Sequence, residues 1–184
     1  MYYGKIKKFD IANGEGIRTS LFVSGCTNRC KNCFQPETWD FCYGNPFTED
    51  TWNEIFESMK ISSVRGLTVL GGEPMEVENQ RALLPFLREF KHRFPKKDIW
   101  LFTGNLYEEL TRDELSHPKR ITETDELLSL VDIMVDGRFE EDKKRLGLRF
   151  RGSENQRIID MNKTRANGEI VIWQGVEEDK TFST

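Results

Sequence analysis

Three of the chain's four cysteines lie within eight residues, and this segment constrains the fold and the chemistry more than any other. Cys26, Cys30 and Cys33 have the spacing C-x3-C-x2-C, which is typical of a short loop that folds three thiolates around one inorganic centre. Structural zinc sites and electron-transfer clusters normally take four protein ligands. Three cysteines on a four-iron cubane would leave one iron open to a substrate. The spacing therefore predicts a reactive iron-sulfur cluster, with these cysteines as its metal ligands and catalytic residues.

A zinc site is the alternative that the cysteines alone leave open. Cys42 lies nine residues beyond Cys33 and could complete a four-thiolate zinc knuckle. The chain would then be an interaction module and not an enzyme. This spacing fits neither a paired C-x2-C knuckle nor the three-cysteine pattern, so we expect Cys42 to be a spare thiol.

The composition excludes several classes of partner. The chain has 184 residues, 37% hydrophobic and 32% charged, which predicts one globular domain over residues 1–184. Its formal net charge of −4 gives no basic surface for nucleic acid. No apolar run could span a bilayer, and the N-terminus lacks the apolar centre of a signal peptide. We therefore expect a cytoplasmic protein without a membrane partner.

Four apolar strand candidates each end in residues suited to binding a ligand. They are Ile17–Val23, which leads into the cysteines; Gly66–Leu70, which leads into Gly71-Gly72-Glu73-Pro74; Ile99–Phe102, before Thr103; and Ile133–Val135, before Asp136. Further strands are predicted at Tyr2–Ile11, Leu146–Phe150 and Gly168–Trp173, and a mobile acidic tail is predicted beyond Val176.

Helical patterns separate these strands. Thr48 is a plausible N-cap, followed by an apolar face of Trp52, Ile55, Phe56 and Met59. A second helix is predicted over residues 78–94, where Pro85 should kink it or delay its start, and a third at Leu127–Val131. Alternating strands and helices predict an α/β fold with a mostly parallel sheet and flanking helices. The ligand-binding ends then meet at one sheet edge, and the chain length suits an open partial (β/α) barrel.

The cysteine spacing and Gly71-Gly72-Glu73 together resemble the radical S-adenosylmethionine (SAM) family. The resemblance implies a [4Fe-4S] cluster whose open iron binds SAM, with Gly71, Gly72 and Glu73 holding the methionyl ammonium. It also implies that Asn32 and Phe34 flank the adenine, although Asn32 stands where many members have an aromatic residue. Thr103, Met134 and Asp136 match a monovalent cation site of related enzymes, but Phe102 replaces one expected carboxylate.

Three other segments resemble the glycyl-radical activating enzymes within that family. They are residues 13–18, 135–140 and 149–160, and the last two look like the branch that acts on anaerobic ribonucleotide reductase. Glu15 departs from that pattern, since proline is frequent there. The resemblance implies a radical SAM oxidoreductase that forms a glycyl radical on the large reductase subunit, with an electron donor such as flavodoxin. Activation of another glycyl-radical enzyme, such as pyruvate formate-lyase, is the alternative. Residues alone would make 149–157 a solvated charged strand and turn.

Overall fold

Seven strands form one mixed sheet in the computed structural model, which describes residues 1–113 and 116–175. The strands are β1 Tyr2–Asp10, β2 Ile17–Val23, β3 Asn45–Pro46, β4 Val64–Gly71, β5 Asp98–Phe102, β6 Ile133–Asp136 and β7 Arg157–Asp160. The helices are α1 Glu49–Met59, α2 Val77–Arg93, α3 Tyr107–Thr111, α4 Thr124–Leu130 and α5 Met161–Asn167. None of the helices in the described ranges is long and apolar enough to cross a membrane.

The sheet order is β3-β1-β2-β4-β5-β6-β7, and its four central strands are parallel. Strands β1, β3 and β7 pair antiparallel at the margins. The parallel register sets Val23 beside Gly71 and Phe102 beside Val135. The segments that follow β2, β4, β5 and β6 therefore leave the sheet at one edge. This confirms the predicted mostly parallel sheet with flanking helices.

Alternating side chains give the sheet two different faces. Leu67, Val69 and Leu101 belong to the main core with the helices, where Phe86 of α2 stacks on Phe56 of α1 at a centroid distance of 5.6 Å. The opposite face carries a smaller cluster built on Trp100, against which Phe102, Phe150 and Trp173 pack. Because this second face is covered by irregular chain and not by helices, it leaves room for a cavity.

Several predicted elements are confirmed with small shifts. Thr48 precedes α1 as its N-cap, and its backbone N–H donates to Thr51 at 3.3 Å. Helix α2 begins at Val77 and contains Pro85 without a break, so the predicted delay is wrong. The missing N–H of the proline costs one helical hydrogen bond, while neighbouring Leu84 and Phe86 are buried in the core. Burial of this face stabilises the helix around the proline.

The last third of the chain differs most from the sequence expectations. Leu146–Phe150 is not a strand, because Gly147 and Phe150 have positive φ angles of 91° and 56° and the chain turns there. Residues 168–173 contribute only an isolated bridge between Ile172 and Ile159, not a full edge strand. Strand β7 and helix α5 were not predicted. The tail predicted from Val176 onward lies outside the described residues.

Candidate iron-sulfur and cofactor site

A cavity of about 490 Å³ opens where β2, β4, β5 and β6 end. Its lining includes Cys26, Cys30, Cys33, Gly71, Gly72 and Thr103. The opposite wall comes from the chain that follows β6, including Phe150 and Gln156. The structure thus brings together the three predicted cluster ligands and the ends of the predicted strands.

Backbone hydrogen bonds fix the start of the cysteine loop. Gly25 N–H donates to the carbonyl of Thr38 at 2.8 Å, and the carbonyl of Gly25 accepts from Glu73 N–H at 2.8 Å. Cys26 N–H donates to the carbonyl of Trp39 at 3.4 Å. The loop is therefore held on one side by a short 3-10 helix, Pro36–Trp39, and on the other by the end of β4. Arg29, inside the loop, has a positive φ of 45°, which is uncommon outside glycine.

Burial and backbone N–H groups act in opposite directions on the thiols of the cysteine loop. Burial raises the pKa of Cys26 to about 11, while backbone N–H groups of Asn28 and Arg29 act in the opposite direction. Burial also raises the pKa of Cys30, opposed by the N–H of Phe139. Gln35 N–H donates to Cys33 Sγ at 3.5 Å. A metal must displace the thiol protons, and these N–H groups are then placed to stabilise the thiolates.

These residues fit a [4Fe-4S] cluster, because all three thiols line one cavity. Each cysteine of a cubane binds a different iron, so the thiols need to face one cavity without converging on one point. Within residues 1–113 and 116–175, no three Cys, His, Asp or Glu side chains form a group that could hold one metal ion. Cys42 is exposed and does not line the cavity, so the structure does not support the four-thiolate zinc knuckle.

Glu73 is fully buried beneath the cavity and accepts four hydrogen bonds. Its Oε1 accepts from Thr103 Oγ1 at 2.7 Å and Met75 N–H at 2.9 Å. Its Oε2 accepts from Asn28 Nδ2 at 2.7 Å and Gly104 N–H at 2.8 Å. A carboxylate has about four lone-pair sites, and all of them are engaged here. Glu73 therefore joins the cysteine loop to the ends of β4 and β5.

A second buried acid, immediately before α2, holds the same loop. Glu76 Oε1 accepts from both the N–H and the hydroxyl of Thr27, at 2.8 and 2.7 Å, and pairs with Lys119 Nζ at 2.8 Å. The ammonium of Lys119 also donates to Asn28 Oδ1 at 2.9 Å. Burial raises the pKa of Glu76, but hydrogen bonds from Lys119 and Thr27 outweigh burial and hold that pKa below its ordinary value. The buried lysine thereby connects the cysteine loop to a distant part of the chain.

Asp136, the last residue of β6, is fully buried and does not line the cavity. Arg157, its cross-strand partner, pairs with both of its oxygens and with Glu108. Hydrogen bonds to Asp136 and Glu108 raise the pKa of Arg157 far above its ordinary value. This triad ties β6, β7 and α3 together behind the cavity wall.

The two residues predicted to flank an adenine differ in position. Phe34 lines the cavity although 70% exposed, and packs on Phe139 at a centroid distance of 5.5 Å. Asn32 is exposed, has a positive φ of 56° and is not part of the lining. Only Phe34 is therefore brought to the cavity.

Sequence reasoning gave no role to Asn28 or Lys119, and it named Arg157 only within the charged segment 149–157, without Asp136 as its partner. Asn28 lies inside the cysteine motif, which is the one signal that could have drawn attention to it. The other two are basic residues in polar segments, and their partners Asn28 and Asp136 are 91 and 21 positions away. No local pattern identifies such contacts.

Comparison with known proteins agrees with this site. Residues 12–159 match the family described as a 4Fe-4S single cluster domain. The cavity and this match define the class as a protein with one iron-sulfur cluster. The chain is 41% identical over 160 residues to the anaerobic ribonucleoside-triphosphate reductase-activating protein of Pasteurella multocida, covering 86% of this chain and 96% of that protein.

Two further relatives carry the same name. The protein of Vibrio cholerae is 36% identical over 160 residues, covering 86% of this chain and 97% of the relative. The protein of Escherichia coli K12 is 32% identical over 158 residues, covering 85% and 96%. The chain belongs to the family of anaerobic ribonucleoside-triphosphate reductase-activating proteins. The resemblance predicted from residues 135–140 and 149–160 is confirmed, and a zinc-binding interaction module is not favoured.

Proposed function

We propose that this chain activates an anaerobic ribonucleoside-triphosphate reductase by forming a glycyl radical on its large subunit. The observation that carries the proposal is the meeting of Cys26, Cys30 and Cys33 with Gly71 and Gly72 around one cavity, in a chain of this family. We propose that the sheet is the open partial barrel of a radical SAM enzyme, formed by one domain over residues 1–184. Ligands of such sheets bind at the carboxyl ends of the strands, which supports this proposal.

The three cysteines would hold the cluster, and the cavity beside them would hold SAM. When bound, the cluster would supply one-electron reductive cleavage of SAM to methionine and a 5'-deoxyadenosyl radical. The electron comes from a reduced one-electron donor such as flavodoxin. The hydrogen atom taken from the reductase glycine leaves as part of 5'-deoxyadenosine. Thiolate ligands persist in a reducing compartment, which supports a cytoplasmic reaction.

The chain's own residues would orient SAM in this cavity. We propose that Gly71 and Gly72 bring the end of β4 close to the methionyl ammonium, and that Glu73 fixes that end. Support comes from Glu73's full burial, its four neutral donors and the φ of +111° at Gly71, which favours glycine. Phe34 would cover the adenine, and the contact of Asn32 with the same group stays a prediction.

The test is anaerobic reconstitution with iron and sulfide, followed by electron paramagnetic resonance. The wild type and the matched control Cys42→Ala should give a reduced cluster signal that changes on adding SAM. Both should also form a glycyl radical after mixing with the reductase large subunit. Cys30→Ala should lose both signals. A Cys30→Ala variant that still cleaves SAM would contradict the proposal, and a radical formed only on pyruvate formate-lyase would favour the alternative partner.

A further inference from the structure

The proposed enzyme's sheet edge was expected to hold a monovalent cation through Thr103, Met134 and Asp136. Their oxygens provide the test of fit. Asp136 Oδ1 accepts from Arg157 Nε at 2.9 Å, and Oδ2 accepts from Tyr107 N–H at 2.8 Å and from Arg157 Nη2. The carboxylate is fully buried and has both oxygens engaged. It does not fit a metal cation while Arg157 is in place.

Thr103 is also engaged by protein partners. Its hydroxyl donates to Glu73 Oε1 at 2.7 Å and accepts from Asn105 N–H and Nδ2 at 3.1 and 2.8 Å. A hydroxyl has one donor and two acceptor positions, so this group is saturated. The Thr103 hydroxyl and the Asp136 carboxylate therefore have no free position for a cation, and Phe102 stands at the place of the further expected carboxylate.

Arg157 supplies a permanent positive charge at the same place. A guanidinium stays protonated at any ordinary pH, and its planar fork matches a carboxylate. Arg157 Nη1 and Nη2 also donate to the two Glu108 oxygens at 3.0 and 2.7 Å. The residue before it, Gln156, lines the cavity and donates from Nε2 to the carbonyl of Gly137 at 2.9 Å. The position of Arg157 therefore affects a wall of the proposed SAM cavity.

We propose that Arg157 is a built-in replacement for the monovalent cation, so that this chain needs no metal cation at the ends of β5 and β6. Arg157 neutralises Asp136, joins β7 to β6 and positions Gln156 and Gly137. It is a positioning residue, not a catalytic one. The inference extends the proposed function, but its main measurement is a folding midpoint, which does not depend on SAM chemistry.

The first measurement compares the thermal midpoint of the reconstituted wild type in potassium, sodium and tetramethylammonium chloride at equal ionic strength. We expect the same midpoint in all three salts, because general screening is equal and Arg157 already neutralises Asp136. The proposal would be overturned if the thermal midpoint of the wild type were higher in potassium or sodium chloride than in tetramethylammonium chloride. It would also be overturned if the SAM-cleavage rate of the wild type depended on potassium or sodium. This measurement uses only the wild type, so it does not depend on whether a variant folds.

The second measurement uses Arg157→Met, which leaves the buried carboxylate of Asp136 without its cation. Breaking a buried pair in a chain of this size should lower the midpoint by roughly 6–20 °C. Potassium or sodium, but not tetramethylammonium, should restore part of this loss, and Arg157→Lys should be affected less. Arg88→Met is the matched control, because Arg88 makes an exposed pair with Glu126. Equal loss in all salts would show a merely structural arginine and overturn the cation replacement.

Discussion

Glu73→Gln tests whether the buried acid organises the site from within the protein. The change replaces one carboxylate oxygen by an NH2 group, which cannot accept from the two donors that it then faces. If Oε2 is replaced, those donors are Gly104 N–H and Asn28 Nδ2. Asn28 could turn its amide to present an oxygen, but that oxygen already accepts from Lys119. The surrounding groups therefore have no simple way to accommodate the substitution.

The expected loss follows from these contacts. Hydrogen bonds to a charged group contribute about 1.5–3 kcal/mol each, so losing two should reduce the free energy of unfolding by about 3–6 kcal/mol. We would measure it by anaerobic urea unfolding of the metal-free chain. Glu126→Gln is the control, because its pair with Arg88 is exposed and should contribute little to the free energy of unfolding. Wild-type stability in Glu73→Gln would refute the organising role and leave a direct SAM contact as the function of this side chain.

Two further predictions concern the strand that precedes the cavity and the cysteines. Burial raises the pKa of Asp10, but hydrogen bonds, led by that from Lys7, outweigh it and lower the pKa from 3.8 to about 2. The ionised Asp10 should therefore contribute about 2 kcal/mol to the free energy of unfolding above pH 4, and this contribution should be lost as the pH falls from about 4 to 2. Acid unfolding should show this loss in the wild type but not in Asp10→Asn. In the metal-free chain, iodoacetamide should modify exposed Cys42 first and buried Cys26 last, and after reconstitution only Cys42, as counted by mass spectrometry. Fast modification of Cys26 in the reconstituted protein would contradict its role as a ligand.

Local pattern predicted the parts of the fold in which each strand carries its own signal. Strands β2, β4, β5 and β6 are apolar and are followed by glycine or polar residues, so their existence and their common edge could be inferred. Strand β7 has only four residues, Arg157–Asp160, and forms by pairing with β6. Leu146–Phe150 has strand-like residues, but Phe150 packs against Trp100 at a centroid distance of 5.4 Å from a left-handed turn. Tertiary packing determines the conformation of both segments, and a single sequence does not reveal that packing.

The candidate site divides in the same way. Cysteine spacing and glycine positions are local, and the structure brings Cys26, Cys30, Cys33, Gly71 and Gly72 to one cavity as expected. The partners of the buried acids are distant in sequence. The sequence therefore did not indicate which lysine or arginine pairs with which buried carboxylate. The family resemblance predicts that Glu73 and Asp136 contact ligands, whereas in the structure their carboxylates bind protein groups.

Because the buried carboxylates bind protein groups, glycines and not acids face the cavity. The carboxylates of Glu73 and Asp136 are engaged behind the wall, while Gly71, Gly72 and Gly104 form part of the wall itself. A Cβ at Gly72 would lie 2.6 Å from the carbonyl oxygen of Gly25, which holds the cysteine loop. The close approach of β4 to that loop therefore excludes any larger residue. Buried ion pairs and fully hydrogen-bonded carboxylates hold the strand ends and the cysteine loop in place. The backbone of the glycines that line the cavity is then available to contact a ligand.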